Sequence, residues 1–224
     1  MTARLAARRT AGTGSALVAT ARRMSELGLA PGTSGNVSVR TTRGFLITPS
    51  GVPYERLRPG DTVELAPDGA TVRGRLAPST EWRLHRDLYA ARSDAGAIVH
   101  THSLFCTTVA CLRRPIPAVH YMVARAGGDD IPCAEYATYG TDELAAAVVR
   151  ALGTGRACLM ANHGMVALGD SLAAALGLAA EVETLAAQYW HAAQLGEPHV
   201  LPASELDRVR AQFASYGQRR PGRR

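Results

Sequence analysis

Apolar residues first recur at helical spacing in residues 14–28, where Leu17, Val18, Ala21, Met24 and Leu27 share one face and Gly28 ends the run. The period then shortens. Over the segment 33–48, SGNVSVR and then GFLITPS, which runs on to Ser50, alternate apolar and polar positions about turn residues, as the strands of a hairpin do. VELAP and TVRGR, on either side of Pro67-Asp68-Gly69, predict two more short strands. Helical spacing returns from Ser79 or Thr80 through Trp82, Leu84, Leu88 and Tyr89 to about Arg92, and AGAIVHTH (95–102) reads as a short buried strand. Helices are expected at 103–112, at 141–152, at 171–195 (the longest) and at 203–214. ACLMA (157–161) and MVALG (165–169) read as strands flanking Asn162-His163-Gly164. No linker-like stretch or repeat divides this order. The pattern predicts one α/β domain over residues 1–224, a mixed sheet covered by helices without regular βαβ alternation. The arginine-rich ends, 1–12 and 217–224, read as flexible solvated arms.

Composition changes this picture in three places. The 224 residues are 46% hydrophobic, enough for one sizeable core. The net charge of +6 suggests an acidic partner until its source is seen: all 25 basic residues are arginine, they are densest at the ends, and aromatics make up only 5%. A basic patch with interleaved aromatics is missing, so nucleic-acid binding is not expected. The absence of lysine also excludes two chemistries, Schiff-base catalysis and a P-loop. Cys106, Cys111, Cys133 and Cys158 form no CxxC pair and read as small buried residues in a reducing compartment. With no signal-peptide core and no 18-residue apolar run, the expected location is the cytoplasm, away from membranes.

The candidate chemistry lies at strand and helix ends. His100 and His102 are two apart at the end of an apolar strand, so both imidazoles project from one face and can reach one cation at about 2.0–2.1 Å. His163 follows another apolar strand, beside a glycine that permits a tight turn, and offers a third ligand. Glu81 is expected in the first turn of its helix, capped by Ser79 or Thr80, where the dipole favours a carboxylate. That helix start and the turn pairs Gly35-Asn36 and Ser50-Gly51 could also donate to a phosphate. Ordinary polar residues at strand ends would look the same, and spacing alone leaves the choice open. His85, four residues after Glu81 on the same helix face, is expected to be a structural partner of the site, not a ligand.

Taken in order, GTSGNVSVR (32–40), LITPSGVPYERL (46–57), PSTEWRLH (78–85), AIVHTH (97–102), IPAVHYMVARAGG (116–128), IPCAEYATYGT (131–141), NHGMVALG (162–169) and AEVETLAAQYW (180–190) resemble the class II aldolase/adducin family over residues 13–217. The resemblance implies a single-domain α/β/α sandwich with a central mixed, largely antiparallel sheet. It implies Zn²⁺ held by His100, His102 and His163, with Glu81 as acid/base that also touches the metal in the empty site. It places Asn36, Ser50, Gly51, Ser79 and Thr80 at the substrate phosphate; Ser50 and Thr80 each replace the other hydroxyl residue usual there. Tyr121 falls at the family's proton-handling tyrosine, which reaches in from a neighbouring subunit of a fourfold homotetramer. Tyr139, where phenylalanine is usual, and Tyr216 fall near the sugar tail. The implied reaction is retro-aldol cleavage of a deoxy-ketose 1-phosphate, L-fuculose 1-phosphate or similar, to dihydroxyacetone phosphate and a small aldehyde. Cleavage of 5-deoxyribulose 1-phosphate, methylthioribulose-1-phosphate dehydration, pentulose-phosphate 4-epimerisation and a non-catalytic adducin-like scaffold are the alternatives. Epimerases usually carry aspartate where His120 stands.

Overall fold

A computed structural model describes residues 2–215, with side chains placed from 12 to 213. Helix α1 (Thr2–Glu26) starts well before the expected residue 14, so the first arginine-rich segment continues the helix where an arm was expected; residues 217–224 lie outside the described residues. Leu17, Val18, Ala21 and Met24 are buried as the spacing predicts. Leu27 is not: it falls past the end of the helix, 41% exposed, in a turn that Gly28 closes with φ +72°.

Strands β1 (Asn36–Thr41) and β2 (Gly44–Ile47) form the expected hairpin, followed by β3 (Val63–Leu65) and β4 (Thr71–Arg73). Then come α2 (Trp82–Ala91), β5 (Ala97–Thr101), α3 (Leu104–Cys111), β6 (Cys133–Ala134), α4 (Asp142–Leu152), β7 (Ala157–Met160), β8 (Gly164–Gly169), α5 (Leu172–Leu195) and α6 (Ala203–Ser215). The helix starts have local causes. The hydroxyls of Thr141 and Ser171 accept from the backbone N–H groups of Leu144 and Ala174, both at 3.3 Å, and so satisfy donors that open α4 and α5.

The strands make one eight-stranded sheet in the order β4-β3-β2-β1-β5-β8-β7-β6. Every neighbouring pair is antiparallel except β6 and β7. Alternation along the strands divides the core in two. Val99 and Met165 pack on one face with Leu17 of α1, Val109 of α3, Leu178 of α5 and Leu206 of α6. Ile98 and Val166 pack on the other with Leu84 and Leu88 of α2 and Leu144 and Val148 of α4. Each such side chain contributes about 1.5–3 kcal/mol on burial. The result is the α/β/α sandwich that the resemblance implies, with β5 and β8 held centrally from both faces. Among the described residues no helix is long and apolar enough to cross a membrane.

Candidate metal centre and its cleft

The site forms where the central strands end together. Antiparallel pairing sets Asn36 of β1 beside His100 of β5, while Thr101 pairs with Met165 of β8. Gly35 (φ +74°) and Gly164 let these backbones approach: a Cβ at Gly35 would stand 2.6 Å from the His100 carbonyl oxygen, and one at Gly164 would collide with the Thr101 carbonyl. His163 lies in the tight connection from β7 to β8, after Asn162 with φ +53°. Thus His100, His102 and His163 converge, their ring centroids 4.8–5.0 Å apart.

Glu81 completes the group from the opposite element. It is the N-cap residue of α2, not a first-turn residue as expected, and its carboxylate caps nothing. Its nearer partners lie across the sheet end: Asn36 Nδ2 donates to Oε2 at 3.0 Å, and His100 Nε2 is 3.0 Å from the same oxygen. His163 Nε2 is 3.2 Å from Oε1, yet that buried oxygen has no hydrogen-bond partner.

These atoms fit a divalent cation. One ligand atom from each of Glu81, His100, His102 and His163 falls within 4.8 Å of the others. Metal–ligand bonds of about 2.0–2.1 Å in a tetrahedron separate ligands by roughly 3.3 Å, and the Nε2 atoms of His100 and His102 are 3.0 Å apart. His100 Nδ1 donates to the Met165 carbonyl at 2.9 Å, which leaves Nε2 to face the cluster. The orphaned Oε1 of Glu81 is a further free donor atom.

Charge is arranged to suit. Burial pushes the Glu81 carboxyl up, but the charge and hydrogen bond of His100, then His163 and the Asn36 amide, outweigh it and hold the acid well below the usual range. Burial lowers His100, but the charge and hydrogen bond of the Glu81 carboxylate overcome this and raise it. His102 and His163 fall to about 4, through burial and then the charge of His100, and stay neutral at pH 7.

Glu81, His102 and His163 of the cluster line a cleft of about 370 Å³, with His100 buried behind them. One wall carries Asn36, Ser50, Gly51, Ser79 and Thr80, the residues expected at phosphate. They meet because Pro49 and Pro78 form an isolated bridge and Ser50 N donates to the Ala77 carbonyl at 3.1 Å, joining two turns beside the start of α2. The Tyr54 hydroxyl, from the motif around Ser50-Gly51, supports this wall by donating to the carbonyls of Ser34 and Gly35 at 3.0 and 2.7 Å. Tyr136, Tyr139 and Asn162 also line the cleft.

The family model for the class II aldolase and adducin N-terminal domain matches residues 15–190. The chain belongs to this family. It is 53% identical over 201 residues to the 5-methylthioribulose-1-phosphate/5-deoxyribulose-1-phosphate aldolase of Rhodospirillum rubrum, covering 90% of both chains. It is 47% identical over 204 residues to an L-fuculose phosphate aldolase of Escherichia coli, covering 91% of this chain and 94% of the relative. Among solved structures, an L-fuculose 1-phosphate aldolase superposes with a TM-score of 0.87 at 40% identity, covering 90% of this chain and 95% of that one.

Within this class II aldolase/adducin domain, the structure brings together the three histidines expected to hold a metal, Glu81 and the residues expected at phosphate, and sets Tyr139 on the cleft. Tyr121 is elsewhere. It opens a 3-10 turn (Tyr121–Ala126), is 48% exposed, and lines a second groove with Phe213. His120 caps that turn, accepting from Met122 N at 3.2 Å. Tyr216 lies outside the described residues. Sequence reading missed Tyr136 and Asn162 as wall residues. The Arg113 guanidinium lies 5.9 Å from the Tyr136 ring centroid and its Nε donates to Asn162 Oδ1 at 2.8 Å. The only sequence signal was nearness to Tyr139 and His163.

Proposed function

We propose that this chain is a zinc-dependent aldolase that breaks the C3–C4 bond of a deoxy-ketose 1-phosphate, giving dihydroxyacetone phosphate and a small aldehyde. The observation that carries the reading is the three-imidazole, one-carboxylate cluster at the floor of a cleft walled by hydroxyls and turn amides. Three neutral nitrogens and an oxygen suit zinc.

A bound divalent ion supplies Lewis acidity for the negative charge that cleavage leaves on the dihydroxyacetone phosphate half. The remaining work belongs to side chains. Ser50, Gly51, Ser79, Thr80 and the Asn36 amide hold the phosphate at the start of α2 and so fix C3 over the cluster. Tyr121 of a neighbouring copy, in a fourfold homotetramer, takes the proton from the C4 hydroxyl as that oxygen becomes the aldehyde. In the condensation direction Glu81, anionic and with Oε1 uncommitted, takes a proton from C3; in cleavage the same carboxyl, once protonated from water, returns one to C3, and the proton taken from the C4 hydroxyl passes on to water. Tyr139 and Tyr216 border the departing tail. The free cysteines, two of them buried, support a reducing cytoplasm as the setting.

Greater identity to the Rhodospirillum enzyme favours a 5-deoxy- or 5-methylthio-ribulose 1-phosphate as substrate. L-Fuculose 1-phosphate is the second reading, supported by the Escherichia coli relative and the superposed structure. The intact donor cluster supports catalysis over a scaffold role. Condensation of dihydroxyacetone phosphate with acetaldehyde, methylthioacetaldehyde and lactaldehyde is the test. The first two should show the higher kcat/KM; preference for lactaldehyde selects the second reading, and no condensation with any aldehyde refutes both.

A further inference from the structure

The sandwich buries a polar chain that none of the cleft residues explains. Asn36 and Ser38 lie two apart on one face of β1, and His85 and Tyr89 lie four apart on one face of α2. All four are buried, His85 and Ser38 completely. Their hydrogen bonds have one consistent direction. Asn36 Nδ2 donates to Glu81 Oε2, so its Oδ1 is the atom that faces His85 Nε2, and that nitrogen must donate. Burial, then the charge of His100, lowers His85 to about 3, so the ring is neutral and its Nδ1 must accept. The group beside Nδ1 is the Ser38 hydroxyl at 2.6 Å, which donates to it and accepts from the Tyr89 hydroxyl at 2.8 Å.

Reversing any link sets like against like. A flipped Asn36 amide would point its carbonyl at an anionic carboxylate and its NH₂ at an N–H, both in a buried site. We propose that His85 is a positioning residue for the reaction: by donating to Asn36 Oδ1 it fixes the amide, and through it the Glu81 carboxylate, with Oε2 held beside His100 and Oε1 turned to His163. This rests on the aldolase reading above. Ser38 and Tyr89 hold the other side of the His85 ring.

A purely structural bridge between α2 and β1 would change stability and leave chemistry alone, so the two roles separate. In His85→Leu the donor is lost; kcat should fall about 10- to 100-fold, the usual cost of losing a residue that orients a site ligand, with zinc content and KM within about twofold. His85→Gln, which keeps an N–H donor near Nε2, should recover most of that loss. Tyr89→Phe, two links away, should lower the melting temperature and leave kcat within about threefold. Nitrogen-15 NMR of the metal-free, histidine-labelled protein should show His85 as the Nε2–H tautomer and decides the matter even where His85→Leu fails to fold. An Nδ1–H tautomer overturns the proposal. So does wild-type kcat in a folded His85→Leu variant, or a kcat loss in every variant that merely tracks its melting temperature. Wild-type protein that takes up no zinc and cleaves no ketose phosphate would instead overturn the aldolase reading, whatever the tautomer.

Discussion

Nε2 of His100 stands 3.0 Å from Oε2 of Glu81, with both groups buried, so one imidazole proton and one carboxylate share a site that also suits a dipositive ion. In the metal-free protein the Glu81 carboxylate raises the affinity of His100 for a proton; a bound cation would take over that charge and displace any proton held there. Zinc added to chelator-treated protein should therefore release protons, measurable in weakly buffered solution. His163→Ala removes the nitrogen 3.2 Å from Glu81 Oε1 and should lose metal and cleavage together. A variant with stoichiometric zinc and normal turnover would remove His163 from the ligand set.

Glu81→Gln separates acid/base work from binding. The amide keeps the shape, so zinc and phosphate affinity should persist while turnover falls by roughly two to four orders of magnitude. Exchange of the C3 proton of dihydroxyacetone phosphate with solvent, followed by NMR, reads the step directly. Exchange at the wild-type rate would assign the base elsewhere.

The lowered histidines set an acid limit on the metal-free fold. His102 and His163 at about 4 and His85 at about 3 refuse protons that the unfolded chain accepts below about pH 6.5, so stability is lost as pH falls below that value. His100, raised, gives its full contribution below pH 6.5 and loses it only on the alkaline side; Glu81, lowered, keeps its own above about pH 4.5. Between pH 6.5 and 5 the neutral histidines therefore dominate this cluster. His85 alone accounts for on the order of 2 kcal/mol at pH 5. Denaturant unfolding of chelator-treated protein should show that stability falls less over this interval in His85→Gln than in the wild type; equal losses would contradict the neutral buried ring.

The tail wall should govern aldehyde choice. Tyr136 is 55% exposed and braced by Arg113, which is itself tied to Asn162 beside His163. Tyr136→Ala should change the ranking of aldehydes by kcat/KM severalfold and leave KM for dihydroxyacetone phosphate alone. Uniform loss across aldehydes would make the residue a brace, not a selector.

The histidine triad was legible because its information is local: two residues at strand spacing and a third beside a glycine. The helices were legible for the same reason, from the buried face of α1 to the serine and threonine that open α5 and α4. Tertiary partners decided what was not. Glu81 caps no helix because Asn36 and His100 lie across the sheet end, a meeting set by β1–β5 register. The two-residue strand β6 is defined by its pairing with β7, and its own short sequence carries no period. Leu27 fits a helical face, yet the left-handed turn at Gly28 ends the helix before it.

Tyr121 tests the assembly. In the chain's own fold it is half exposed and lines a groove with Phe213, apart from the cleft that holds the cluster. If a neighbouring copy receives it, Tyr121→Phe and His163→Ala subunits fail for different sites: one spoils its neighbour's proton transfer, the other its own metal. Each homogeneous assembly should be inactive, or nearly so. Refolded together, the two should regain part of wild-type turnover, because some interfaces then join an intact tyrosine to an intact histidine cluster. Native mass spectrometry confirms the mixing and reports the oligomer. Mixed assemblies that stay inactive would place both residues in one chain's reaction, and monomers with full activity would exclude a tyrosine supplied by a partner.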